Sequence, residues 1–174
     1  MTARLLCCGL IVLSAGACGT CGSSSAPSSS TAHCVEARLC LTITGPLAGA
    51  TTVLVLEPDC IVGQGLDAVF TTRLSGQETN IEIDVQDPAL GRNDYRAGTY
   101  PVGKHTNAQA GASVWVTPDK DVPGYRGGWY TDAAGSSGTV TLSSNPGGSV
   151  NGVVAVPKHG TGSALTIRGT FRCR

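Results

Sequence analysis

The chain has 174 residues, sets 12 Lys and Arg against 12 Asp and Glu, and carries 24 Gly and 8 Cys with only 14% of its residues charged. A formal charge of zero supplies no basic surface to release counterions from a phosphate backbone, which excludes nucleic acid as an expected partner. The length and a hydrophobic fraction of 41% suit a single domain with its own core, and the cysteine count points to an oxidising compartment.

At the N-terminus, Arg4 is the one charge before an uncharged run from Leu5 to Ala17. That run is too short to cross a hydrocarbon core about 30 Å thick, which takes roughly 20 helical residues. Residues 1–17 therefore read as a cleaved leader, and no later stretch reads as a transmembrane helix. The leader ends in Leu13-Ser14-Ala15-Gly16-Ala17-Cys18, which resembles the lipobox of bacterial lipoproteins. There, small residues precede a cysteine whose thiol takes a diacylglyceryl thioether. Ala15 stands where that family most often has Leu. The resemblance implies lipidation at Cys18 and an extracytoplasmic, membrane-anchored protein of the cell envelope. Ala15-Gly16-Ala17 is also an A-x-A secretory site that cuts the same bond, and that alternative gives a released protein.

Residues 18–32 are the expected anchor and tether. Gly22 to Ala32 is a Ser-rich stretch without one large apolar side chain, so it cannot pack. As a flexible coil it spans about 17 to 20 Å. Loss of Arg4 with the leader leaves 11 basic against 12 acidic residues, so membrane attachment is expected to rest on lipid rather than charge.

Residues 33–174 read as one all-β domain. Val35, Ala37, Leu39, Leu41 and Ile43 alternate with polar positions, the pattern of a half-buried strand. Thr51 to Leu56 is a β-branched apolar run. Leu66 to Leu74 fits helical or strand spacing, and Thr71 and Thr72 with Gly65 and Gly76 outside favour strand. Ile81, Ile83 and Val85 alternate with Glu82, Asp84 and Gln86; from Asp87 to Gly111 only Gly98 to Val102 has a pattern. Val114 and Val116 flank Trp115. Thr139 to Leu142, Val150 to Val156 and Leu165 to Cys173 form a meander broken by Ser144 to Gly148 and by Pro157 to Gly162. About 8 or 9 short strands predict an antiparallel sandwich or barrel-like meander. The leader, the tether and a last strand ending in Cys173 together resemble small surface lipoproteins of high-GC Gram-positive bacteria, including mycobacterial ones.

Cys7 and Cys8 leave with the leader, Cys18 takes lipid and Cys21 lies in the tether, which leaves Cys34, Cys40, Cys60 and Cys173 for two bridges. Cys34 and Cys40 would lie about 20 Å apart on an unbroken strand, beyond disulfide reach. A hairpin around Gly45 to Gly49 that sets Thr44 against Thr51 would bring Cys34 near Cys60. The expected pairs are then Cys34 with Cys60 and Cys40 with Cys173. The second needs a bulge or an exposed bridge, because Cys173 shares the face of Leu165, Ile167 and Phe171 while Cys40 shares that of Glu36 and Arg38.

Signals for chemistry are sparse. His33, His105 and His159 stand singly in expected loops. Gly135-Ser136-Ser137-Gly138 lacks the G-x-S-x-G form and the following helix of a nucleophile elbow. No pair of Cys-x-x-Cys motifs has zinc spacing. Glu78, Glu82, Asp84 and Asp87, followed by Asn93 and Asp94, supply oxygen ligands of the kind Ca²⁺ takes, but their alternation with Ile81, Ile83 and Val85 reads first as a solvated strand face. No metal, cofactor or catalytic residue is expected. Of the aromatic residues, Tyr95, Tyr100, Trp115, Tyr125, Trp129 and Tyr130 fall in one stretch among polar groups. They read as core filling or, alternatively, as stacking surfaces for a carbohydrate or protein. The expectation is a non-catalytic binding or structural domain on an envelope lipoprotein, with an envelope glycan or protein as its partner and a carbohydrate-binding module as the alternative.

Overall fold

A computed structural model describes residues 38–47, 49–53, 59–103, 108–123, 125–159 and 162–173. The leader, Cys18, the tether, His33, Cys34 and His105 lie outside the described residues. The all-β expectation holds, with eleven strands among the described residues and every strand pair antiparallel. They are β1 (Leu39–Thr44), β2 (Gly49–Val53), β3 (Asp59–Val62), β4 (Gly65–Leu74), β5 (Gln77–Gln86), β6 (Gly98–Pro101), β7 (Gly111–Pro118), β8 (Arg126–Tyr130), β9 (Ser137–Leu142), β10 (Gly147–His159) and β11 (Leu165–Arg172). The expected stretch Leu66 to Leu74 is strand β4, and β9, β10 and β11 form the expected meander. The short strands β3 and β8 carry too few alternating positions to stand out in the sequence.

The pairing path runs β2-β1-β11-β10-β8-β7-β5-β4-β3, with β9 and then β6 branching from β10, and it does not close into a barrel. The path folds into two facing layers because β10 serves both. Its first part pairs with β9 and β11, and from Val156 onward it pairs with β8. Register shifts between Val150 and Val154, where Gly152 has φ 60°, mark a bulge that bends the strand. The expected turn at Pro157 is instead strand, with Pro157 opposite Trp129. Pairing with β11 has ended at Ala155, so the missing N–H of proline leaves no second ladder unmatched.

Alternation then builds the core. Leu39, Leu41 and Ile43 of β1, Leu165, Ile167 and Phe171 of β11, and Val150, Val153 and Ala155 of β10 meet Leu66, Ala68 and Phe70 of β4, Ile81, Ile83 and Val85 of β5, and Val114 and Val116 of β7. All are buried. Phe70 and Phe171 touch edge to face across the layers at 6.2 Å between ring centroids.

The disulfide expectation is corrected. Cys60 pairs with Cys173, with 5.8 Å between their α-carbons. The hairpin β1–β2 forms, but Thr51 lies opposite Leu41 rather than Thr44. Cys60 belongs to a different strand pair, β3–β4, where it faces Ala68. Both Cys60 and Cys173 pack against the core, so the bridge joins the inner faces of the two layers. Cys40 is on the opposite side of β1 from buried Leu39 and Leu41, which removes it from reach of Cys173. It too is disulfide-bonded, to a cysteine outside the described residues.

Candidate binding site

The six aromatic side chains of the Tyr95 to Tyr130 stretch do not form one surface. Tyr100 and Trp129 are buried in the core. The Tyr100 hydroxyl donates to the Arg96 carbonyl at 3.0 Å, and the Trp129 indole donates to the Ser163 carbonyl at 3.1 Å. Tyr125 lies on Trp129 at 4.8 Å between centroids, and its hydroxyl accepts the Ser163 N–H. Tyr95 clamps the turn before β10: its hydroxyl donates toward the Ser143 carbonyl at 2.7 Å, with the carbonyls of Asn145 and Gly147 at 3.1 Å. Burial pushes that phenol above its ordinary pKa. These four rings hold the fold.

Trp115 and Tyr130 are different. They face each other across β7 and β8 on the outer side of the second layer, 6.5 Å apart. The Lys158 ammonium lies 5.4 Å from the centre of the Tyr130 ring, within cation–π range. Trp115 is 41% exposed. Two local devices set the pair. Gly128 has φ 80°, and a Cβ there would collide with the Val116 carbonyl, so only glycine lets β8 lie this close to β7. One residue past β8, the buried Thr131 hydroxyl accepts the Val114 N–H at 2.8 Å, replacing a backbone carbonyl where the ladder stops.

The strand registers extend this face across six strands. One row runs Ile61, Asp67, Asp84, Ser113. The next runs Val69, Glu82, Trp115, Tyr130, Val156. Their chain neighbours Val62, Leu66, Ala68, Ile81, Ile83, Val85, Val114 and Val116 turn inward. Asp67 and Asp84 stand directly opposite each other, a like-charge pairing that opposes sheet formation. Partial burial first, and then the charges of Asp67 and Asp84, raise the pKa of the Glu82 carboxyl above 4.5. A groove of about 570 Å³ runs beside these carboxylates from Ile61 and Gln64 to Gln86 and Gln109. A smaller one of about 140 Å³ continues past Asp84 and Gln86 to Ser113, Trp115 and Asp132.

The other acidic positions are structural. Asp87 is buried, accepts the Ala89 N–H and holds Arg96 at 3.4 Å. Asp94 accepts the Gly91 N–H at 3.0 Å. Both thus close the loop between β5 and β6, and Asn93 is exposed beside them. Glu78 lies opposite Arg73 at the far end of the β4–β5 hairpin. Among the described residues, no three His, Cys, Asp or Glu side chains are gathered as a metal ion requires. His159 is exposed at the end of β10, in register with Arg126. Sequence reasoning missed Ile61 and Lys158. For Ile61 a signal exists: it alternates with Cys60 and Val62, which places it on the other face of any strand they share.

The chain matches no protein-family model, no curated protein and no solved structure.

Proposed function

We propose that this chain is an exported envelope protein, lipid-anchored at Cys18, whose β-domain is a non-catalytic binding module. Its binding face is the outer side of β3, β4, β5, β7 and β8. One observation carries the binding reading: Ile61 and Trp115, the large hydrophobic residues left exposed among the described residues, stand on this same face. Isolated exposed apolar residues need no explanation, but two that border one groove system support a contact surface. The anchor reading rests on the likeness of Leu13 to Cys18 to a lipobox and on the Ser-rich spacer behind it. A diacylglyceryl group on Cys18 would hold the domain at the outer side of a membrane while the spacer keeps the face accessible.

The mass of the mature N-terminus tests the anchor. A diacylated Cys18 is expected, and a Cys18→Ala variant is expected to leave the membrane fraction. An unmodified Cys18 overturns the anchor without touching the binding reading. The second reading, a carbohydrate site, is favoured by the exposed Trp115 ring beside the Glu82 carboxylate, since sugars offer C–H faces for stacking and hydroxyls for acceptors. A panel of neutral envelope oligosaccharides that leaves the fluorescence of Trp115 unchanged removes it.

A further inference from the structure

The outer side of β7 steps down in size from Trp115 to Ser113 to Gly111, and in register these three face Glu82, Asp84 and Gln86 of β5. The step leaves a space beside the Trp115 ring. That space is the smaller groove of about 140 Å³, bordered by Gln86 and Asp84 from β5, by Asp132 just past β8, and by the backbone at Gly103. A volume this far below the roughly 300 Å³ of a drug-sized cleft admits one ring-sized unit. Its lining suits hydroxyl groups. Gln86 donates one amide hydrogen to Asp84 at 2.9 Å, which anchors an amide that carries a second N–H and a carbonyl oxygen for a ligand. Asp84 serves as that anchor and keeps its bonds within the protein. Ser113 adds a hydroxyl and Asp132 a carboxylate. Trp115, 41% exposed, supplies an apolar wall on which the C–H face of a pyranose can stack.

Charge selects an uncharged occupant. Glu82 faces Trp115 across β5 and β7, and Asp84 and Asp132 border the pocket. On the other side, the Lys158 ammonium lies over Tyr130, the neighbour of Trp115 across β7 and β8. A polyanion meets the carboxylates, and a polycation meets Lys158. Sugar hydroxyls both donate and accept, so a neutral glycan is matched to groups of either sign.

We propose that the pocket beside Trp115 receives one pyranose residue of an uncharged glycan, stacked on the Trp115 ring and hydrogen-bonded by Gln86, Ser113 and Asp132. This rests on the carbohydrate reading above. The test is calorimetric titration of the full-length protein with neutral hexasaccharides of glucose, mannose and galactose, beside hexagalacturonate and hexaglucosamine as charged probes. Saturable binding of a neutral hexasaccharide is expected, and its affinity should not change between about 0.05 and 0.5 M salt, because no ion pair forms. Trp115→Ala should weaken it roughly tenfold or more. Asp132→Ala should weaken it several-fold. Ser113→Phe, which fills the pocket from an outward strand position, should abolish it. Asp119→Ala, in the exposed turn after β7, should leave it unchanged. If Trp115→Ala weakens binding while Ser113→Phe and Asp132→Ala do not, the pocket falls and the carbohydrate reading stands. A charged hexasaccharide that binds more tightly than every neutral one overturns the choice of an uncharged ligand. If no hexasaccharide binds, the pocket and the carbohydrate reading fall together.

Discussion

Glu82 shows what the outer face costs the folded chain. Its pKa is raised by partial burial and then by the charges of Asp67 and Asp84, whereas in the unfolded chain it returns to its ordinary value. In the window just above 4.5 the native state therefore holds more protons than the unfolded state. Stability falls as pH rises through that window, and the penalty is fully present at neutral pH. Glu82→Gln should then raise the thermal midpoint near pH 7, and the gain should vanish once the pH drops below about 4. A midpoint difference independent of pH would contradict this origin. The alternation of Glu82 and Asp84 with Ile81 and Ile83 was enough to place both carboxylates outward. What alternation could not give is their neighbour, because Asp67 arrives from another strand through the β4–β5 register.

Among the elements, β7 and β8 carry the aromatic part of the site, and their junction depends on one hydroxyl. Val114 donates its N–H to Thr131 Oγ1 inside the core. Thr131→Val keeps the shape and removes the acceptor, which leaves a buried donor unmatched. A loss of about 1 to 3 kcal/mol in urea unfolding is expected, with Thr131→Ser close to wild type. An equal loss in both variants would assign the effect to packing instead. The same pair of strands explains why the aromatic stretch was only partly legible. Spacing along β8 puts Trp129 and Tyr130 on opposite faces, but which face is inner follows from where β10 lies. The strand β10 reaches β8 only because a bulge and a tolerated Pro157 carry it past the point where turn residues alone predict a stop.

For the whole molecule, the bridge between Cys60 and Cys173 joins β3, at one end of the pairing path, to the end of β11 in the opposite layer. It closes a sequence separation of 113 residues, and on the chain-entropy model such a loop stabilises the fold by about 5 kcal/mol. Replacing both cysteines by Ala should lower the unfolding free energy by about that amount, measured by urea titration under non-reducing conditions. A loss below about 1 kcal/mol would show that the layers are held by core packing alone.

Local chemistry in the sequence determined a great deal: the leader and lipobox-like ending as expectations, the all-β class, most strands, and the outward placement of Glu82 and Asp84 along β5. These follow from properties of short segments, namely length against membrane thickness, alternation of period two, and the backbone limits of Gly and Pro. Tertiary structure alone decided which cysteines meet, which four aromatic rings are spent on the core, and that Ile61, Asp67, Glu82, Asp84 and Trp115 share one face. Those outcomes depend on register and on the bend of β10 between layers. A shift of one residue in register moves every side chain of a strand to the other face, and no short stretch of sequence encodes a pairing with a partner many residues away.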